Sequence, residues 1–222
     1  MPERTPSRKA RAPRTRGVSA PSNNPGSHGK PASHREAPSL PPIGIVVSRY
    51  NWTITQALLN GAVEAYFDAG GDPDNLSLVF APGAFEVVTL SSLMLKGGGV
   101  AGVVALGCII KGETIHDQVL GNAVTTALAD LSSWTACPVG LGVLTVNSVA
   151  QARARAGFGS GPGVSNKGAE AMRSVLVVLQ QMNILTKAGG VPVHDFFSGQ
   201  VQLPLSESPD KAHASSHRGK RS

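Results

Sequence analysis

In the stretch GCIIKGETIHDQ, residues 107–118, an apolar run breaks at Lys111-Gly112 into a carboxylate, a hydroxyl and an imidazole: Glu113, Thr114 and His116. Imidazoles exchange protons near neutral pH, so a histidine at the rim of a cleft suits general acid–base work. If a helix starts just after this point, the backbone N–H groups of Gly112, Glu113 and Thr114 have no intrahelical partners. Together with the helix dipole they favour an anion such as a phosphate. His116 is the one histidine between residues 43 and 185; the other five stand at 28, 34, 194, 213 and 217. The plainer alternative is a solvated histidine at a helix start.

Three further clusters follow apolar runs in the same way. These are SRYN with Tyr50 and Asn51, PGAFE with Ala84, Phe85 and Glu86, and TVNS at residues 145–148. Each has a structural reading as well. Tyr50 can be a packing aromatic, Glu86 can compensate a helix dipole, and Thr114 can be an N-cap. GFGSGPG, residues 157–163, imitates a glycine-rich phosphate loop, but it follows a helical pattern instead of linking a strand to a helix, so the dinucleotide fingerprint fails. Arg155 and Lys167 flank that loop and could close over an anion.

The elements that must hold these groups are legible from periodicity. IGIVVS, LSLVFA, VAGVVALGCII and VGLGVLTV are short apolar runs that predict strands. The first helix is predicted from Leu58, Leu59, Ala62, Val63, Tyr66 and Phe67 at helical spacing, stopped by Gly70-Gly71. Further helices are predicted in FEVVTLSSLMLK, HDQVLGNAVTTALADLSSW, SVAQARARAG and NKGAEAMRSVLVVLQQMNIL. The order is β-α-β-α-β-α-β-α-α. Continuously apolar strands predict a parallel sheet covered on both faces, and ligands of such sheets bind beyond the C-terminal strand ends. All four polar clusters stand there.

The 222-residue chain carries a net charge of +6, distributed unevenly. Residues 1–42 hold eight Lys/Arg against two Asp/Glu, residues 186–222 five against three, and residues 43–185 seven against nine. Nucleic-acid binding, if any, therefore rests on the basic tails and not on the mildly acidic middle. Residues 1–42 are rich in Pro, Ser and Gly and are expected to be a disordered basic extension. An Arg- and Ser-rich start also suits an organelle transit peptide, against which the proline density argues. Residues 186–222 are expected to be a mostly disordered tail, with Phe196-Phe197 an apolar pair that could dock. Cys108 and Cys137 have neither disulfide-scaffold nor metal spacing, which is compatible with a reduced compartment. The longest apolar run, residues 100–110, is shorter than the roughly 20 residues a membrane span needs. No charged-then-apolar signal opens the chain, and a cytoplasmic protein is expected.

The motifs GIVVSRYN, APGAFEV, ALGCIIKGETIH, GVLTV, QARARAG and NKGAEA, in this order, resemble the lumazine synthase family of riboflavin biosynthesis over residues 43 to about 185. The resemblance implies a flavodoxin-like, three-layer α/β/α domain with a four-stranded parallel sheet. It also implies condensation of 5-amino-6-(D-ribitylamino)uracil with 3,4-dihydroxy-2-butanone 4-phosphate, releasing phosphate and water, with no metal and no organic cofactor. By motif, His116 takes the proton-shuttle position and Tyr50 that of the aromatic stacked on the pyrimidine. Asn51 follows Tyr50, Ala84-Phe85-Glu86 holds the ribityl chain and ring edge, and Ile109 and Ile110 line the pocket. Gly112, Glu113 and Thr114 present donors to the phosphate, Arg155 adds a forked contact, and Lys167 matches a lysine near the site.

The chain departs from the family where Asp117 and Gln118 directly follow the histidine in place of an aromatic and an acid. Leu141 stands where a neighbouring subunit often supplies an aromatic lid, and the loop 157–165 is longer than usual. The implied assembly is a homopentamer, or a sixty-subunit icosahedral shell, with sites shared between subunits. The rival readings are the related archaeal-type riboflavin synthase and a non-catalytic shell whose basic tails bind an acidic partner.

Overall fold

The computed structural model describes residues 40–190. The expectations for the basic extension, for the tail beyond residue 190 and for Phe196-Phe197 lie outside the described residues. The elements run β1 (Ile43–Ser48), α1 (Trp52–Asp68), β2 (Leu76–Ala81), α2 (Ala84–Lys96), β3 (Gly102–Ile110), α3 (His116–Thr135), β4 (Val139–Val146), α4 (Val149–Arg155) and α5 (Lys167–Ala188). A 3-10 turn at Pro73–Asn75, capped by the Asp72 side chain, leads into β2. The helix α5 continues to Ala188, past the Leu185 to which its apolar period was legible.

All four strands pair in parallel, in the order β2-β1-β3-β4. Alternate residues point to opposite faces and build two cores. On one face Ile43, Ile45, Val47, Val104, Leu106 and Leu144 pack with α1 and α5 residues such as Leu58, Tyr66, Met172 and Val175. On the other, Val46, Val103, Ala105 and Ile109 pack with Val87 of α2 and with Val124 and Leu128 of α3. This is the flavodoxin-like three-layer arrangement.

Full coverage of the sheet holds for the central strands and not for the edges. Every residue of β1 is buried, as is β3 up to its last residue. By contrast, the edge strand β2 leaves Leu78 43% and Phe80 49% exposed, and β4 leaves Leu141 half-exposed. An apolar run at a sheet edge reads like one in the middle, but the helices among the described residues leave it uncovered. Trp52 and Phe80 sit with ring centroids 5.9 Å apart, so the uncovered surface includes an aromatic pair.

The helix pair α1–α5 is set by one side chain and one missing one. Asn166, the N-cap of α5, accepts from the N–H groups of Gly168 and Ala169 at 2.9 and 3.1 Å. Its amide donates to the Ala57 carbonyl of α1 at 2.8 Å and to the Ala156 carbonyl at 3.3 Å. One residue thus joins α1, the end of α4 and the start of α5. Gly168 lies directly against the Leu58 carbonyl, where a Cβ would overlap that oxygen and the carbon behind it. Backbone atoms cannot yield as a side chain can. Gly168→Ala should therefore cost about 3 kcal/mol, the upper end for overpacking. Gly99→Ala, with nothing near its added Cβ, should stay within about 0.5 kcal/mol. Denaturation midpoints of the two variants against the parent check this.

Candidate active site

The strand order locates the site. From β1 the chain moves outward to β2, then returns past β1 to β3. The β1–β3 junction is therefore the switch point, where loops leave toward opposite faces and a crevice opens. There Tyr50-Asn51 follow β1, residues 82–86 follow β2, and residues 111–117 follow β3. Residues from all three segments line a cleft of about 670 Å³, within the usual range for a small-molecule site.

Each wall has a local cause. Asn51 occupies the left-handed region (φ 56°, ψ 44°), which asparagine tolerates better than most residues. Its carbonyl accepts from the N–H groups of Ile54 and Thr55, starting α1. Its side-chain amide crosses the switch point and donates to the Cys108 carbonyl of β3 at 2.9 Å. Tyr50 beside it is 70% exposed, which removes the reading of a packing aromatic. Glu86 accepts from the Gly83 N–H at 3.0 Å; glycine has no side chain to return a bond, so half a capping box forms. The helix-start reading of Glu86 thus holds, and the same carboxylate lines the cleft.

At the end of β3 the Lys111 N–H still donates to the Val146 carbonyl at 2.8 Å, and the chain then turns away from the sheet. Thr114 is not the N-cap of α3, a position taken by Ile115. The Thr114 hydroxyl instead accepts from the His116 N–H at 3.4 Å. Asp117, only 9% exposed, accepts from the Gly112 N–H at 3.4 Å. Among the described residues no hydrogen bond engages the His116 imidazole, and the residue lines the cleft. The apolar floor combines Ile109 and Ile110 with Val119, Leu120 and Ala123.

Of the residues singled out from sequence, Tyr50, Asn51, Ala84, Phe85, Glu86, Ile109, Ile110, Gly112, Thr114 and His116 line this one cleft. Glu113, Leu141, Arg155 and Lys167 do not. Leu141 pairs with Ala105, whereas the cleft lies by the Ile110–Val146 pair, five residues on. At about 3.3 Å per residue, Leu141 stands some 17 Å below the rim of its own chain's site. Arg155 and Lys167 flank the Ala156–Asn166 bridge that closes the base of the glycine-rich loop. Lys167 is paired with Glu170 at 2.6 Å. That loop has left-handed glycines at 157, 159, 161 and 163, and Arg153 lies over the Phe158 ring at 4.3 Å. The TVNS cluster serves α4, with Ser148 as its N-cap.

Periodicity could have found three lining residues that sequence reading missed. Val119, Leu120 and Ala123 stand at helical spacing from His116 and so share its face. Lys111 and Gly83 lie next to residues already chosen. Cys108 also lines the cleft, and burial pushes its thiol up to about 11. It is no nucleophile at neutral pH.

Fold and cleft together define a flavodoxin-like α/β domain with a cleft of small-molecule size at its switch point, lined by Lys111, Thr114 and His116 among others. Over residues 41–183 the chain matches the family model described as 6,7-dimethyl-8-ribityllumazine synthase. It is 39% identical over 146 residues to the 6,7-dimethyl-8-ribityllumazine synthase of Lactiplantibacillus plantarum, covering 66% of this chain and 89% of that protein. The protein of the same name from Campylobacter concisus is 39% identical over 147 residues, covering 66% and 90%. That of Thermus thermophilus is 34% identical over 145 residues, covering 65% and 90%. The chain belongs to the 6,7-dimethyl-8-ribityllumazine synthase family, whose members are transferases.

The raised thiol gives a chemical signature for the cleft. At pH 8, alkylation of Cys108 should run on the order of 10²-fold slower than that of a free thiol, from thiolate fraction alone. The rate should climb about tenfold per pH unit and level off near the value of about 11. Half-buried Cys137 should react first. Peptide mapping after iodoacetamide treatment across pH reads both rates.

Proposed function

We propose that this chain condenses 5-amino-6-(D-ribitylamino)uracil with 3,4-dihydroxy-2-butanone 4-phosphate to give 6,7-dimethyl-8-ribityllumazine, inorganic phosphate and water. The observation that carries this reading is the convergence of Tyr50, Glu86, Thr114 and His116, from three strand ends, on one cleft in a member of this family. The exposed Tyr50 ring is available to stack on the flat pyrimidine. The loop from Lys111 to Thr114 offers a cation, backbone donors and a hydroxyl to the phosphate.

The steps need positioning and proton movement more than a strong nucleophile. The uracil's amine attacks the ketone carbon, and the carbinolamine loses water to form an imine. Elimination then breaks the C–O bond to phosphate, whose leaving charge the loop donors stabilise. The enol left behind tautomerises to a new ketone, on which the ribityl-bearing nitrogen closes the ring, and a second water departs. His116 moves protons at the attacking amine and at the carbon between the imine and the one that loses phosphate. Mixing the protein with both substrates and watching for lumazine fluorescence tests the reading. Consumption of lumazine to form riboflavin would instead mark the related synthase, and no turnover would leave the non-catalytic shell.

The site is completed by a neighbouring copy, in a homopentamer or in a sixty-subunit shell built from it. Two observations support this. Leu141, Arg155 and Lys167 lie outside their own chain's cleft. The flank formed by Trp52, Leu78, Phe80 and Phe85 leaves apolar surface uncovered beside that cleft. A head-to-tail ring would bring one chain's Arg155 to the next chain's His116.

His116→Ala should leave assembly unchanged and lower turnover about 10²-fold, the low end for acid–base catalysis because water partly replaces a proton shuttle. Full activity from pH 5 to 9 would remove His116 from the mechanism. Co-refolding His116→Ala with Arg155→Ala chains should return about a quarter of parental activity, since one interface in four regains both groups in a mixed ring. Mixed oligomers confirmed by mass spectrometry without regained activity would show that each chain carries its own complete site.

A further inference from the structure

Asp117 is the most buried charged side chain among the described residues, 9% exposed, and it lines the cleft. Among the described residues no cation lies within 4.0 Å of it, and the ion pair there is Lys167–Glu170. A buried carboxylate without a counterion must be held by hydrogen-bond donors. Here the partner is the Gly112 N–H at 3.4 Å, five residues back in the chain, aided by the first turn of α3 in which Asp117 stands. The bond spans the loop containing Thr114 and His116, from its first glycine to the helix that ends it. Gly112 has open space around it and no side chain to set its conformation, so the loop needs an outside anchor.

We infer that Asp117 is a positioning residue for the phosphate subsite: by accepting the Gly112 N–H it fixes the Lys111–His116 loop, so that Thr114 and Lys111 meet the substrate's phosphate. The inference rests on the function proposed above and deepens it. It also changes the part given to Gly112. That N–H is turned toward Asp117 and braces the loop, leaving the phosphate to the hydroxyl, the lysine and the donors that follow.

The test compares Asp117→Ala, which removes the acceptor, with Asp117→Asn, which keeps an acceptor oxygen without the charge. Calorimetry with inorganic phosphate on the assembled protein, and KM for each substrate, are the readouts. Asp117→Ala should weaken phosphate about tenfold and raise KM for the butanone phosphate by the same factor, the lower range for a charged hydrogen bond because this one is long. KM for the uracil should stay within about twofold, and Asp117→Asn should recover phosphate affinity to within about threefold. Should Asp117→Ala fail to assemble, Asp117→Ser, too short to reach Gly112, replaces it with the same expected loss.

Tighter phosphate binding in either variant would mean that Asp117 opposes the anion, and the inference falls. Equal losses for both substrates with a lowered Tm would mean a merely structural carboxylate, and it falls again. Asp117→Asn behaving like Asp117→Ala would show that the charge matters and not the acceptor, which overturns it as well. A parent protein that makes lumazine while Asp117→Ala keeps its phosphate affinity overturns this inference alone. A parent that neither binds phosphate nor makes lumazine overturns the functional reading, and this inference with it.

Discussion

The bond from the Asn51 amide to the Cys108 carbonyl spans the gap on which the site depends. Parallel pairing joins β1 and β3 as far as Val47 and Leu106. Beyond that pair the two chains part, β1 toward α1 on one face and β3 toward α3 on the other. A crevice at such a divergence is useful only if its sides keep their distance. Asn51 holds them by combining two properties in one residue. Its backbone accepts the left-handed turn that swings the chain into α1, and its side chain reaches the far strand. Glycine would tolerate the turn but has no side chain to donate, and valine or isoleucine could do neither.

The carboxylates of the cleft follow a common pattern. Glu86 accepts from Gly83, and Asp117 accepts from Gly112. Each acid, at the start of its own helix, is bound to the backbone of a glycine in the loop that leads into that helix. Anionic side chains are thus used to shape loops, and the helix dipole helps keep them there. The free imidazole and the exposed Tyr50 ring are left to meet a ligand. This division gives one small rim both anchored loops and unengaged side chains.

Much of the fold was legible because its signals are local. β1, β2, α2, β3, α3 and β4 fall within a residue or two of the apolar runs and glycine stops that mark them. The rim residues from Tyr50 to His116 were legible too, since the end of a buried strand is itself a sequence feature. What was not legible depends on neighbours distant in the chain. The order β2-β1-β3-β4 leaves no local trace, so the exposure of Leu78, Phe80 and Leu141 could not be read from runs that look like those of β1. Asp117 looked like one more polar residue at a helix start, and its burial appears only once α3 is laid against the sheet. Thr114 shows the limit of short-range rules: a plausible N-cap by type, it sits one residue too early.

The uncovered β2 edge has a consequence for how the molecule comes into being. Along that strand a row of backbone donors and acceptors without partners among the described residues runs beside Leu78 and Phe80, which is a template for any extended chain that drifts past. A second copy that covered it would do so at a rate second order in concentration, and so would a half-folded stranger that mispaired with it. The two outcomes therefore race from the moment a chain completes its sheet, and dilution slows both without favouring either. What separates them is shape: a folded neighbour presents one fitting surface, whereas an unfolded one presents many poor ones. The time a newly made chain spends alone, more than the depth of its native well, then decides the yield of sound protein.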